Sequence, residues 1–330
     1  MNKPKTDNPL DRVKEITFEL TNRCNLKCRI CNIWKEKQRR DIALEDIKKV
    51  LKTFKNPLSI SLTGGEPLLH PDFDKIYKYL YKLFLQKKIK NIDISTNAYS
   101  KDIIHFLSKN KKYLQPLTLS VSLDGLEKTH NIQRGKPDAF SKTLKNIIKI
   151  KRYNIFPTIK FVITDLNYKE IFKIDKLSSN LSLTFNPKLV EKINNYYHRY
   201  TNKNFLTLSP KNFSFIQKSI GEILKNRKNN KNKMEIFSLN CIKRFLLSKN
   251  LNFIKKCLTP QNFLFVTSNN NIYSCIYQKK IGTIKEWPKI NGSTYAKIKK
   301  EAQKGKCPKC LSYHGYLRES NYNKYGNINK

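Results

Sequence analysis

Apolar and polar residues alternate through Glu15-Ile16-Thr17-Phe18-Glu19-Leu20-Thr21. That period of two predicts a strand with one buried face. The period then changes. Ile42, Leu44, Ile47, Val50 and Leu51 fall at helical spacing within residues 42–53. Leu58-Ser59-Ile60-Ser61-Leu62 is a second strand, ending in Thr63-Gly64-Gly65-Glu66-Pro67, with a helix over about 72–86 behind it. Ile92-Asp93-Ile94-Ser95 is a third strand, followed by a helix over about 100–109. Leu117 to Leu123 makes a fourth, and a helix near 138–152 leads to a fifth at Thr158–Thr164. A helix near 168–178 and a weak strand near 181–185 complete the series.

Strand and helix therefore alternate about six times. Such repeats build a parallel sheet with helices outside, as an open sheet or an incomplete barrel. In both, ligands bind at the carboxyl ends of the strands. Residues 1–186 read as this core. Residues 187–250 are basic and Asn-rich and read as a helical connection, in which Ser209-Pro210 starts a helix through Phe215, Ile216, Ile220 and Leu224. Residues 251–312 carry short strands near 263–267 and 271–274 in a small cysteine-rich α+β appendage. The polar, Tyr-rich tail at 313–330 has no periodicity and is expected to be loosely held.

Composition changes this picture in one respect. The formal charge of +41 invites a nucleic-acid partner. The Lys residues are spread over every segment, however, and Lys, Asn and Ile crowd the whole chain as compositional bias would produce. The 18 Phe and 17 Tyr argue for a packed core despite that charge. No run of about 18 apolar residues predicts a membrane span, and the first residues show no signal-peptide pattern. The expected location is cytoplasmic, with no membrane partner.

Eight cysteines carry the chemistry, too clustered for a disulfide scaffold. Cys24, Cys28 and Cys31 follow the first strand with spacing x3 and x2. Three local thiolates leave one iron corner of a cubane cluster open to substrate unless a distant Cys completes the set. A zinc site borrowing Cys241 is the bland alternative, although zinc sites favour paired CxxC knuckles. Cys257, Cys275, Cys307 and Cys310 form the second group, and Cys241 is otherwise a buried core thiol. Trp34 and Trp287 read as packing or surface residues, and His314 as a possible spare ligand.

Thr21-Asn22-Arg23-Cys24-Asn25-Leu26-Lys27-Cys28-Arg29-Ile30-Cys31 resembles the cluster motif of the radical S-adenosylmethionine (SAM) superfamily. The likeness extends over roughly residues 14–185, with later motifs at strand ends in the expected order. It implies a partial (β/α)6 barrel and a catalytic [4Fe–4S] cluster on Cys24, Cys28 and Cys31, whose open iron takes the amino and carboxylate groups of SAM. The resemblance further implies cofactor contacts from Gly64, Gly65 and Glu66 to the SAM ammonium, and from Ser95 and Asn97 to the ribose. By the same likeness Ser122 and Arg134 hold the carboxylate, and Ile163 packs on adenine. Arg is chemically suited to a carboxylate. Asp124 and His130 are read as ordering the loop. The sequence departs from the family at Ile30, usually aromatic, and at Ala98, often Gly.

Cys257, Cys275, Cys307 and Cys310 resemble the SPASM/twitch appendage found in part of that superfamily. The likeness implies a second, auxiliary [4Fe–4S] cluster, fully ligated and so an electron relay. Structural zinc stays open for the same four thiolates. The functional expectation is oxidation or maturation of a peptide or small molecule, with a low-potential donor such as flavodoxin or ferredoxin. An RNA-modifying radical SAM enzyme and a non-catalytic iron–sulfur protein are the other classes. No residue names the substrate or a catalytic base.

Overall fold

The computed structural model describes residues 9–190, 208–227, 233–249, 262–276, 280–289, 293 and 295–296. Strands β1 (Glu15–Thr21), β2 (Leu58–Gly64), β3 (Ile89–Thr96), β4 (Leu117–Ser122), β5 (Thr158–Ile163) and β6 (Phe185–Leu189) run parallel in sequence order. Helices α1 (Leu44–Leu51), α2 (Phe73–Leu85), α3 (Asp102–Lys109), α4 (Glu127–Arg134), α5 (Ala139–Lys151) and α6 (Ile171–Asn180) connect them. Beyond α7 (Phe213–Asn226) and α8 (Lys233–Ser248), β7 (Phe263–Val266) pairs parallel to β1, with Glu15 opposite Phe263. Strands β8 (Asn271–Tyr273) and β9 (Gly282–Thr283) add antiparallel to its far side. The nine described strands form one sheet in the order β6-β5-β4-β3-β2-β1-β7-β8-β9, and among the described residues the barrel does not close.

The period-2 pattern sets which way each strand faces. Ile16, Phe18, Leu20, Ile60, Leu62, Ile92, Ile94, Leu119, Val121, Phe161 and Phe185 are at most 2% exposed and form the main core with the apolar stripes of the helices. Burying each such side chain contributes about 1.5–3 kcal/mol. The opposite face is polar. Thr17, Ser61, Asp93, Ser120, Lys160 and Asn186 point into a cavity of about 690 Å³ inside the barrel. Barrel interiors are commonly packed with branched apolar side chains. This one keeps open, polar space.

Two expectations are corrected. The last barrel strand lies at Phe185–Leu189, four residues later than its expected start at 181. Pro187 hides it, because Pro cannot donate in a sheet interior. It is tolerated because β6 is the end strand of the sheet. Helix α4 was also not expected. Its residues Glu127, Lys128, Thr129 and Asn131 give no apolar stripe, and it buries the polar His130 and Gln133 instead.

Candidate active site

The three thiols stand in one loop at the carboxyl end of β1, with Cys28 buried and Cys24 and Cys31 half-buried. Ile33, Phe263 and Phe265 form an apolar wall against which Cys24, Cys31, Tyr273 and Ile276 pack. Burial pushes the Cys24 and Cys31 thiols up to about 12, and raises Cys28 as well. A metal's positive charge is what converts such thiols to thiolate ligands. Among the described residues no three His, Cys, Asp or Glu side chains converge on a single-ion site. A cubane offers each thiolate its own iron corner, so this loop needs no common focus.

The loop is built against its neighbours. Gly65 N–H donates to Thr21 O at 2.8 Å and Glu66 N–H to Arg23 O at 2.7 Å. A Cβ on Gly65 would lie 2.2 Å from Arg23 O and 2.9 Å from Cys24 Cβ. The glycines are thus required by the cluster loop's own backbone, a reason the sequence did not disclose. Glu66 is 1% exposed, and its carboxylate accepts from Thr96 Oγ1 at 2.8 Å and Asn97 N–H at 2.9 Å. Burial pushes it up to about 7 against those donors. Glu66 therefore braces the end of β2 to the end of β3. Asn97 Nδ2 in turn donates to Asn25 Oδ1 at 2.8 Å, tying β3 to the cysteine loop. Ala98 takes a left-handed backbone, φ +50°, which is the conformation glycine holds easily.

Helix α4 delivers Arg134. Its guanidinium donates to Cys28 Sγ at 3.8 Å and forms an ion pair with Asp124 Oδ2 at 2.6 Å. Asp124 also accepts from Val162 N–H at 2.9 Å, and its own N–H donates to His130 Nδ1 at 3.0 Å. His130 is held neutral, because burial and Arg134 push it down to about 2. Three buried amide or guanidinium donors have no hydrogen-bond partner here, Arg134 Nε, Gln133 Nε2 and Asn25 Nδ2. All belong to residues that touch the cysteine loop. Orphaned donors beside three thiols fit an anionic, hydrogen-bond-accepting ligand at that place.

Ser95 lines the barrel cavity, and Ser122 ends β4 opposite Lys160. Ile163 does not face that cavity. It is fully buried in the main core, on the same face of β5 as Ile159 and Phe161, while Lys160 points inward. Strand parity sets this orientation, since successive side chains of a strand point to opposite faces. Cys275 is buried just after β8, whereas Cys257, Cys307, Cys310 and His314 lie outside the described residues. Cys241 sits half-buried on α8. Trp34 was underestimated. Its indole N–H donates to Cys31 O at 2.8 Å and Cys28 O at 3.3 Å, which clamps the loop. No spacing rule flags a lone Trp three residues after a Cys.

The family model of the radical SAM superfamily matches residues 18–177. The chain carries a radical SAM domain. Membership of that superfamily supports S-adenosylmethionine and a [4Fe–4S] cluster as cofactors. The Bacillus subtilis antilisterial bacteriocin subtilosin biosynthesis protein AlbA is 32% identical over 161 residues, which is 47% of this chain and 34% of that protein. A probable GTP 3′,8-cyclase of Saccharolobus islandicus is 28% identical over 179 residues, 52% of this chain and 54% of that protein. The aligned region is thus about a third to a half of these curated relatives. Among solved structures, anSMEcpe with bound AdoMet is similar at a TM-score of 0.63 and 20% identity, covering 88% of this chain and 79% of that one. Streptococcus suis SuiB bound to S-adenosylmethionine is similar at 0.61 and 18%, covering 88% and 68%. These likenesses show the fold that surrounds the radical SAM domain, a parallel barrel left open.

Proposed function

We propose that the chain is a radical SAM oxidoreductase or maturase acting on a peptide or small molecule inside its barrel. A [4Fe–4S] cluster with SAM bound supplies one-electron cleavage of the C5′–S bond and a hydrogen-abstracting 5′-deoxyadenosyl radical. The chain's own residues bind and orient. Cys24, Cys28 and Cys31 hold the cluster, and Trp34 fixes the carbonyls between them. Arg134, aligned by Asp124, places positive charge beside Cys28, and its free Nε suits the carboxylate of SAM together with Ser122. Gly64 and Gly65 let strand β2 close on the loop. Glu66 holds Thr96 and Asn97 at the ribose position, with Ser95 beside them. The apolar wall of Ile33, Phe263 and Phe265 keeps water from the thiols.

The observation that carries this reading is the single loop of three thiols, braced by the ends of β2 and β3 and by Arg134. On the same reading Cys275, with Cys257, Cys307 and Cys310, holds an auxiliary [4Fe–4S] cluster in a twitch-type appendage. Exposed Lys27, Arg29, Lys35, Lys37 and Arg39 ring the cluster loop. That cationic rim suits an acidic low-potential donor such as flavodoxin or ferredoxin.

The test is anaerobic reconstitution followed by iron, sulfide and zinc analysis and assay of 5′-deoxyadenosine under reducing conditions. We expect about eight iron per chain for two cubanes, with SAM cleavage lost in Cys28→Ala. A reconstituted chain that makes no 5′-deoxyadenosine, or a Cys28→Ala variant that still does, overturns the reading. About four iron with one zinc keeps the radical chemistry and removes the auxiliary cluster.

A further inference from the structure

The outer face of α5 carries an apolar stripe that the barrel core does not use. Phe140, Leu144 and Ile148 stand one turn apart and line a groove of about 470 Å³, to which α4 contributes Glu127. Ile148 is 46% exposed. The inner face of the same helix is occupied by the barrel. There Thr143 Oγ1 donates to Asn97 O at 3.1 Å and Asn146 Nδ2 to Ala98 O at 2.8 Å. Lys145, Lys149 and Arg152 line the groove as well. At 3.6 residues per turn they form a second, cationic stripe beside the apolar one.

Elsewhere on the barrel, helix lysines close onto acids of their own helix. Lys48 pairs with Glu45, Lys49 with Asp46 and Lys75 with Asp72, and in the first turn of α5 Lys142 pairs with Asp138. Among the described residues Lys145, Lys149 and Arg152 meet no carboxylate. Like charges four residues apart on a helix repel. Acids brought from outside would turn that repulsion into attraction.

Shape and charge select the occupant. A second copy of this chain would bring the same three cations against these. A membrane surface does not enter a concave groove. RNA favours exposed aromatic planes on which bases stack, and the one ring in the groove, Phe140, is half-buried and packs edge-on against His130 with centroids 6.2 Å apart. An amphipathic helix lays its apolar face into such a groove and keeps its charges at the rim. We infer that the groove docks an acidic amphipathic helix of a separate polypeptide. Its apolar residues would rest on Phe140, Leu144 and Ile148, and its carboxylates on Lys145, Lys149 and Arg152. The groove shares no lining residue with the cluster site, so the inference stands apart from the radical reading.

The probe is a labelled peptide of about 18 residues, above the length at which isolated helices are marginal. It is built from Leu, Ala and Glu, with Leu on one helical face and Glu at four-residue spacing beside it. A scrambled peptide keeps the composition and charge and loses the stripe, which separates the groove from the general pull of a +41 chain. Fluorescence anisotropy is read against the full, reconstituted chain at about 0.15 M salt, where the screening length is about 8 Å. We expect the amphipathic peptide to bind at least about tenfold more tightly than the scrambled one. Ile148→Ser, which adds no charge, should weaken it about tenfold. Lys145→Glu with Lys149→Glu should do at least as much. Lys173→Glu with Lys176→Glu makes the same change of charge on exposed positions of α6 and should leave binding within about twofold. Equal melting temperatures would show the variants folded. No binding, equal binding of the two peptides, indifference to Ile148→Ser, or equal weakening by the α6 pair overturns the proposal. So does sedimentation with phosphatidylserine vesicles, or self-association of the chain, that is lost in Ile148→Ser, since the groove would then belong to a membrane or a second copy. None of these readouts needs SAM cleavage. A chain that makes no 5′-deoxyadenosine but binds the peptide as expected keeps the docking groove and loses the radical reading, and the reverse result does the opposite.

Discussion

Gly65→Ala is the sharpest perturbation available at the cluster loop. The new Cβ would meet Arg23 O at 2.2 Å, Arg23 C at 2.7 Å and Cys24 Cβ at 2.9 Å. Ordinary contact begins near 3.4 Å, so backbone must retreat by about 1.2 Å, and none of the atoms in the way is the tip of a flexible side chain. Two hydrogen bonds cross that gap, from Gly65 N–H at 2.8 Å and Glu66 N–H at 2.7 Å. Overpacking costs about 1–3 kcal/mol and each weakened hydrogen bond about 1 kcal/mol. The expected total is roughly 3 kcal/mol, or about 6 °C in melting temperature. Because Cys24 moves with the strained segment, iron retained after reconstitution should fall in parallel. Gly221→Ala is the control, since its added Cβ meets nothing within 4 Å in the middle of α7. It should be neutral or stabilising by about 0.5–1 kcal/mol. Circular dichroism melts and iron analysis of both variants decide the matter. A Gly65→Ala chain that melts and loads iron like the wild type, yet binds SAM poorly, would refute the packing argument. It would return the glycine to a purely cofactor-facing role.

Other consequences can be checked alongside it. Ala98→Gly should stabilise the chain by up to about 1 kcal/mol, because it removes the strain of a left-handed alanine, and thermal melting reads it directly. Trp34→Phe removes the donor to Cys31 O and Cys28 O, about 1 kcal/mol, and should speed iron loss to a chelator without lowering initial loading. Arg227 sits between Asp175, at 2.6 Å, and Glu235, at 3.1 Å, so Arg227→Met should cost about 3–5 kcal/mol in denaturant melts. Its pH dependence has a defined sign. Burial already pushes Asp175 up to about 6 while Arg227 pulls it down, so losing Arg227 raises it further. A carboxyl raised on folding favours the folded state at low pH, and that contribution is lost as pH rises through its folded value. The deficit of the variant should therefore be smaller at pH 5 than at pH 8.

Much of the barrel was legible because its strands bury one face only. Alternation marked β1 to β5 to within a few residues, and the cysteine triplet, the glycine pair and Thr96-Asn97 fell at strand ends as expected. What stayed hidden depends on partners distant in sequence. Pro187 concealed β6 because edge position is a property of the sheet, not of the segment. α4 was missed because its buried face is His130 and Gln133, which satisfy a polar site rather than a core. Which face of β5 turns inward, and so the burial of Ile163 in the main core, is likewise set by the sheet and not by the segment. The polar face was visible as alternation, yet nothing local says that it encloses a cavity rather than meeting water.

The pairing of β1 with β7 has a consequence for biosynthesis. Glu15 and Phe263 are 248 positions apart. At about 5–20 residues per second a ribosome needs some 12–50 s to span that interval. Throughout it the cysteine loop has been made while Phe263 and Phe265, one wall of its pocket, have not. Iron delivered to the growing chain would meet thiols still open to oxygen and water. Correct assembly therefore favours a cell that either withholds the metal until β7 has been synthesised or shields the nascent loop until then.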